Sequence, residues 1–194
     1  MTAALKPKLV ILISGRGSNM QSIVKAIQAN ELDAEVAAVI SNCPNAAGLK
    51  FAQQSDIATR TLDHKNFASR EAFDEQLMKL IDSFTPDYVV LAGFMRILSA
   101  GFVKHYANKL INIHPSLLPK FKGMHTHQRA IEAGEKEHGA TVHFVTEELD
   151  AGPVILQAKV PVLENDTEEA LAARVLIEEH KLYPDALRLL IQQN

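Results

Sequence analysis

Leu110-Ile-Asn-Ile-His-Pro-Ser-Leu-Leu-Pro119 decides how the rest of the chain reads. Its first half is a short apolar strand carrying two polar residues at alternate positions, Asn112 and His114, and it stops at Pro115. Alternation along a strand sends both side chains to one face. An amide and an imidazole therefore leave the sheet together, at the C-terminal end of a strand. In open α/β sheets that end is where ligands bind. An isolated Asn-x-His is ordinarily a turn cap beside a half-buried histidine; the flanking sequence argues otherwise here.

Upstream, strands and helices alternate. Residues 9–13 (Leu-Val-Ile-Leu-Ile) are a continuous apolar run, as for a strand buried on both faces of a parallel sheet. They open into Ser14-Gly15-Arg16-Gly17-Ser18-Asn19, then a helix with Met20, Ile23, Val24 and Ile27 on one face. Further strands are expected at 35–41, 57–62 and 88–92, and helices at 46–54, after Ser69 and after Ser99. The Ser69 helix turns Phe73, Leu77, Leu80, Ile81 and Phe84 to the core and ends before Pro86.

Beyond His114 the pattern changes. Residues 141–145 and 154–160 read as antiparallel or mixed strands, joined by a loop containing Asp150-Ala151-Gly152-Pro153. Thr167 caps a long last helix with Glu168 and Glu169 in its first turn, and Pro184 is expected to kink or break it. The pattern predicts a doubly wound, mostly parallel α/β sheet flanked by helices, Rossmann-like, with antiparallel strands in the C-terminal part. A single domain over residues 1–194 is expected.

Composition narrows the partners. A net charge of -3 gives no bulk attraction to nucleic acid or an anionic membrane, so an anionic ligand needs a local site. No apolar run approaches the roughly 18 residues of a membrane span, and the N-terminus enters its first strand without a signal-peptide core. The single cysteine, Cys43, excludes an internal disulfide and fits a reducing, cytoplasmic setting. No base accompanies Cys43 in local sequence, so it is not read as a nucleophile.

A strand running into Gly-Arg-Gly-Ser-Asn and a helix presents backbone N–H groups and a helix dipole to an anion. Walker A is excluded because Ser18-Asn19 follows Gly17 where Lys-Ser/Thr is required. The dinucleotide fingerprint is excluded too: Met20 stands at its third glycine, and Ser41-Asn42 where the second strand should end in an acid. A single phosphate monoester remains, with Ser18 and Asn19 expected to add side-chain donors.

Asp150 lies in a loop that could be a plain Asx-turn. Beside His114 its carboxylate would favour the imidazolium. Asn112, His114 and Asp150 would then be a donor, an acid/base and a charge partner around a developing oxyanion. No Ser or Cys nucleophile is needed if the substrate brings its own amine. His125, His127, His138 and His143 match no standard zinc spacing, and no metal is expected.

Over essentially its whole length the chain resembles the phosphoribosylglycinamide formyltransferase family, folate-dependent enzymes of purine synthesis. The segments that carry the resemblance are Ile-Ser-Gly-Arg-Gly-Ser-Asn, Ser69-Arg70-Glu71, Leu-Ala-Gly-Phe-Met-Arg-Ile-Leu, Asn-Ile-His-Pro-Ser-Leu-Leu-Pro, and His-Gly-Ala-Thr-Val-His-Phe-Val through Leu-Asp-Ala-Gly-Pro-Val-Ile. The resemblance implies the formyltransferase version of the Rossmann-like fold. It also implies formyl transfer from the co-substrate 10-formyltetrahydrofolate to the amine of glycinamide ribonucleotide.

By the same resemblance Gly17, Ser18, Asn19 and Glu179 hold the ribonucleotide. Arg70, Met95, Arg96, Ile97, Leu98 and Asn112 bind the folate, and Asn112, His114 and Asp150 act at the reacting carbonyl. The loop from Thr146 to Asp150 is expected to close on the pterin. Two features depart from the family. Arg16 replaces a smaller polar residue, and the chain stops at Asn194, earlier than many relatives, leaving monomer and homodimer both open. The alternative is formyltetrahydrofolate deformylase, a hydrolase with the same three residues and an expected extra N-terminal domain. Methionyl-tRNA formyltransferase is disfavoured because it needs a further C-terminal domain. A non-catalytic folate or nucleotide module is disfavoured by the joint presence of Asn112, His114 and Asp150.

Overall fold

A computed structural model describes residues 5–193. Met1 to Ala4, read above as lacking a signal-peptide core, and Asn194 lie outside the described residues. The chain runs β1 (Lys8–Ile13), α1 (Ser18–Gln28), β2 (Glu35–Ser41), α2 (Ala47–Gln54), β3 (Thr59–Thr61), α3 (Arg70–Asp82) and β4 (Tyr88–Leu91). It continues through α4 (Ala100–His105), β5 (Leu110–His114), α5 (Thr126–Glu132), β6 (Glu137–Phe144), β7 (Val154–Pro161) and α6 (Glu168–Gln192). The strands make one sheet in the order β3-β2-β1-β4-β5-β6-β7. The first five strands pair in parallel, while β6 joins β5, and β7 joins β6, antiparallel.

The apolar run of β1 explains the layering. Leu9, Ile11 and Ile13 face one side, where α1 and α6 supply Met20, Ile23, Val24, Val175, Tyr183 and Leu187. Val10 and Leu12 face the other, against Phe73, Leu77 and Ile81 of α3 and Phe102 and Val103 of α4. Continuous hydrophobic strands are what a sheet covered on both faces requires. Among the described residues no helix is long and apolar enough to cross a membrane.

Several expectations shift in detail. The third strand shrinks to Thr59–Thr61 at the sheet edge. β6 starts earlier than expected, at Glu137, because residues 137–140 pair with β7 before the strand reaches β5. Pro184 does not break the last helix, which is assigned continuously from Glu168 to Gln192. The buried residues around it hold the helix to the sheet: the Tyr183 hydroxyl donates to the Leu91 carbonyl at 2.7 Å, with the Ile111 carbonyl 3.2 Å away. That packing outweighs the cost of about 3 kcal/mol of an interior proline. Two elements had no counterpart in the sequence reading, α5 and a 3₁₀ turn at His64–Asn66. α5 is entered from His125 in the left-handed region with no side-chain cap, so no capping residue announces it.

Candidate active site

The topological reversal falls between β1 and β4, whose C-terminal ends open a cavity of about 330 Å³. Residues 14–19 form one wall, and Ala92, Gly93 and Met95 the other. Gly17 enters α1 with φ 66°, where a Cβ would also stand 3.0 Å from the Met20 methyl carbon. No side chain caps α1, which leaves the N–H groups of its first turn for an anion.

Asn19, expected to add a side-chain donor for the phosphate, also reaches the last helix. It is buried, and its Nδ2 donates to Glu179 Oε2 at 2.8 Å, so one of its two amide protons is used within the protein. Its Oδ1 is buried without a partner. The bond joins two of the predicted residues across α1 and α6. Burial pushes the Glu179 carboxyl above its ordinary pKa, and the Asn19 bond opposes that shift.

Asn112 and His114 lie one strand further along the same sheet end. Opposite them in the antiparallel register are His143 and Thr141, so all four share a face. His114 is buried, with Nε2 2.9 Å from the Phe121 carbonyl and Nδ1 3.4 Å from Asp150 Oδ2. Both ring nitrogens thus face oxygen atoms of the protein. The Asn112 side chain has no hydrogen-bond partner among the described residues.

A brace holds the segment after β5. Thr141 Oγ1 donates to the Ser116 carbonyl at 2.7 Å and accepts from Leu118 N at 3.1 Å and Gln157 Nε2 at 2.9 Å. Asp150 has φ 48° and is held by Gly123 N–H at 2.9 Å. Two residues on, a Cβ at Gly152 would stand 1.8 Å from the Phe144 carbonyl oxygen, so only glycine lets the loop run so close to β6.

His143 joins this group unannounced by its sequence role. Its Nδ1 donates to the Phe144 carbonyl at 2.9 Å, and its buried Nε2, without a partner, faces Asp150 Oδ1 at 3.9 Å. Burial lowers its pKa, against the opposing pull of Asp150. Strand alternation places it with Thr141, and only the register puts it opposite Asn112.

The loop 93–98 carries the remaining predicted residues. Met95 and Ile97 are 76% and 73% exposed, and Leu98 packs on the α3 side of the sheet. The Arg96 guanidinium lies 5.6 Å over the Phe73 ring, which sets the loop against α3. Arg70 opens α3 and pairs at the surface with Glu71 at 3.1 Å. Beside the His114 group, His138 Nε2 meets His127 Nδ1 at 3.2 Å.

A Formyl transferase family model matches residues 7–187. The chain is 58% identical to the phosphoribosylglycinamide formyltransferase of Escherichia coli over 91% of its own length and 83% of that protein's. It is 46% identical to the Haemophilus influenzae enzyme of the same name over 91% and 84%. The structure of phosphoribosylglycinamide formyltransferase from Coxiella burnetii superposes with a TM-score of 0.92 at 50% identity, covering 97% of this chain and 89% of that one. With β1, β5 and most of the last helix inside the match, the chain belongs to the formyl transferase family and, within it, to the phosphoribosylglycinamide formyltransferases.

Proposed function

We propose that the chain transfers the formyl group of 10-formyltetrahydrofolate to the primary amine of glycinamide ribonucleotide, giving formylglycinamide ribonucleotide and tetrahydrofolate. The buried His114–Asp150 pair, on the strand end that also presents Asn112, is the observation that carries the assignment. The uncapped N-terminus of α1 suits the ribonucleotide phosphate at Gly17, Ser18 and the Asn19 backbone, with Glu179 behind them. The exposed apolar Met95 and Ile97 suit an aromatic folate, Arg96 and Leu98 completing the loop and Arg70 supplying a cation for its glutamate tail.

Amine attack on the formyl carbon makes a tetrahedral centre with an oxyanion and an ammonium. His114 Nε2 is occupied by the Phe121 carbonyl, so Nδ1 is the ring atom that acts. At 3.4 Å its contact with Asp150 is long, and a reacting oxygen can share that proton. Asn112 Nδ2 supplies a second donor. Collapse breaks the carbon–N10 bond; the ammonium loses a proton and N10 gains one, with Asp150 and His114 placed to relay it.

The test is product analysis with 10-formyltetrahydrofolate in the presence and absence of glycinamide ribonucleotide. Formyl transfer that depends on the amine supports the reading. Formate released at the same rate without the amine would instead make the chain a deformylase.

A further inference from the structure

We infer that Ser14 and Asp74 are positioning residues that hold the backbone of loop 93–99 in the shape a folate must meet. This rests on the assignment of that loop to the folate, proposed above. The loop leaves β4 at Leu91 and enters α4 at Ala100. Met95 N–H donates to Ser14 Oγ at 2.7 Å, and Ser99 N–H donates to Asp74 Oδ2 at 2.6 Å. Both are shorter than the usual N–H···O distance of about 2.9 Å, and the second is charge-assisted. Ser14 grips the loop again through its own N–H, which donates to the Gly93 carbonyl at 3.1 Å.

Each anchor is itself built in. The Ser14 hydroxyl gives its proton to Asn42 Oδ1 at 2.6 Å, and Asn42 Nδ2 meets His64 Nδ1 at 3.1 Å. Asn42 is 3% exposed and Asp74 1%. Asp74 sits on the face of α3 that buries Phe73, Leu77 and Ile81, and its Oδ1 has no hydrogen-bond partner among the described residues. A buried carboxylate with a single hydrogen bond is a poor stabilising device. What the carboxylate does achieve is to fix Ser99 N.

Between the anchors the picture reverses. Among the described residues, no backbone N–H or carbonyl of Arg96, Ile97 or Leu98 has a protein partner. Peptide groups held at both ends and left free in the middle are a prepared edge for a ligand's amide-like atoms. The anchors also come from the elements that carry the other binding residues. Ser14 immediately precedes the phosphate loop, and Asp74 lies one helical turn after Arg70.

The experiment compares wild type, Ser14→Ala, Asp74→Ala and Asp74→Asn by steady-state kinetics and by calorimetric binding of tetrahydrofolate. Each alanine variant is expected to weaken tetrahydrofolate binding and raise the KM for the formyl-folate about five- to tenfold, the loss of one hydrogen bond. In Asp74→Ala the ribonucleotide KM should stay within about twofold. Asp74→Asn keeps an acceptor for Ser99 N and should recover most of the affinity, which a mere packing role would not predict. Unchanged tetrahydrofolate affinity in both alanine variants overturns the inference, as does an equal loss for both substrates in Asp74→Ala. Wild-type protein that binds no tetrahydrofolate overturns instead the assignment of the loop. Ser14→Ala, at a half-buried position, keeps the test open if Asp74→Ala fails to fold.

Discussion

Asp150 Oδ2 stands 3.4 Å from His114 Nδ1, with both side chains less than a tenth exposed. The same oxygen accepts the Gly123 N–H, and Oδ1 faces the buried Nε2 of His143. One carboxylate thus ties β6, the segment after β5 and the loop 145–153 to a single imidazole. Its charge and its acceptor oxygens are separable functions.

Asp150→Asn retains an acceptor for Gly123 N and removes the charge facing His114. We expect kcat to fall by about 10²-fold or more, in the range that acid/base groups contribute, with the thermal midpoint little changed. Asp150→Ala also releases Gly123 and should lose stability as well. Kinetics beside thermal melts separate the two, and a wild-type kcat in Asp150→Asn would remove the carboxylate from the mechanism.

Asn112→Ala and His114→Ala each delete a group proposed to donate to the developing oxyanion. Each should cost about 10²–10³-fold in turnover while the circular dichroism spectrum is retained, because neither side chain fills the apolar core. Turnover near wild type in either variant contradicts the proposed roles.

The layering was legible because β1 is apolar at every position from Leu9 to Ile13, and the site because Asn112 and His114 sit on alternate positions of one strand. What escaped reading depends on contacts between distant segments. The partner of Asn19 is 160 residues away in sequence, and nothing near Asn19 announces Glu179. His143 reaches the site only through the β5–β6 register, and Phe121 enters through its carbonyl, which no side-chain pattern encodes. Pro184 shows the converse: a strong local rule yields where the surrounding helix face is fully buried.

Glu179 gives a pH-dependent stability test. Burial raises its folded pKa above the unfolded value, so the folded state binds more protons between the two. Its contribution is most favourable below the unfolded pKa of about 4.3, is lost as pH rises through the folded value, and is level above that. Glu179→Gln keeps an acceptor for Asn19 Nδ2 and does not ionise. The variant's melting temperature relative to wild type should therefore be higher at pH 7 than at pH 4, while its KM for the ribonucleotide rises. A pH-independent difference would mean that the carboxyl is not held protonation-shifted by the fold.

His138 gives the opposite slope. The residue is 1% exposed, and its Nε2 meets His127 Nδ1 at 3.2 Å. The two facing ring nitrogens share one proton between them, which disfavours charging both rings. Burial first, then the neighbouring His127 and His114, push its pKa down to about 4. The unfolded chain therefore binds more protons between about 4 and 6.5. Stability from this group is present above pH 6.5, declines as pH falls through that window, and is fully lost below the folded value. In His138→Gln the melting temperature should drop at pH 7, since packing and the His127 bond are disturbed. Its decline between pH 6.5 and 4 should be shallower than that of wild type, with the two curves converging toward acid. Parallel curves in paired thermal melts would show that acid unfolding does not pass through this ring.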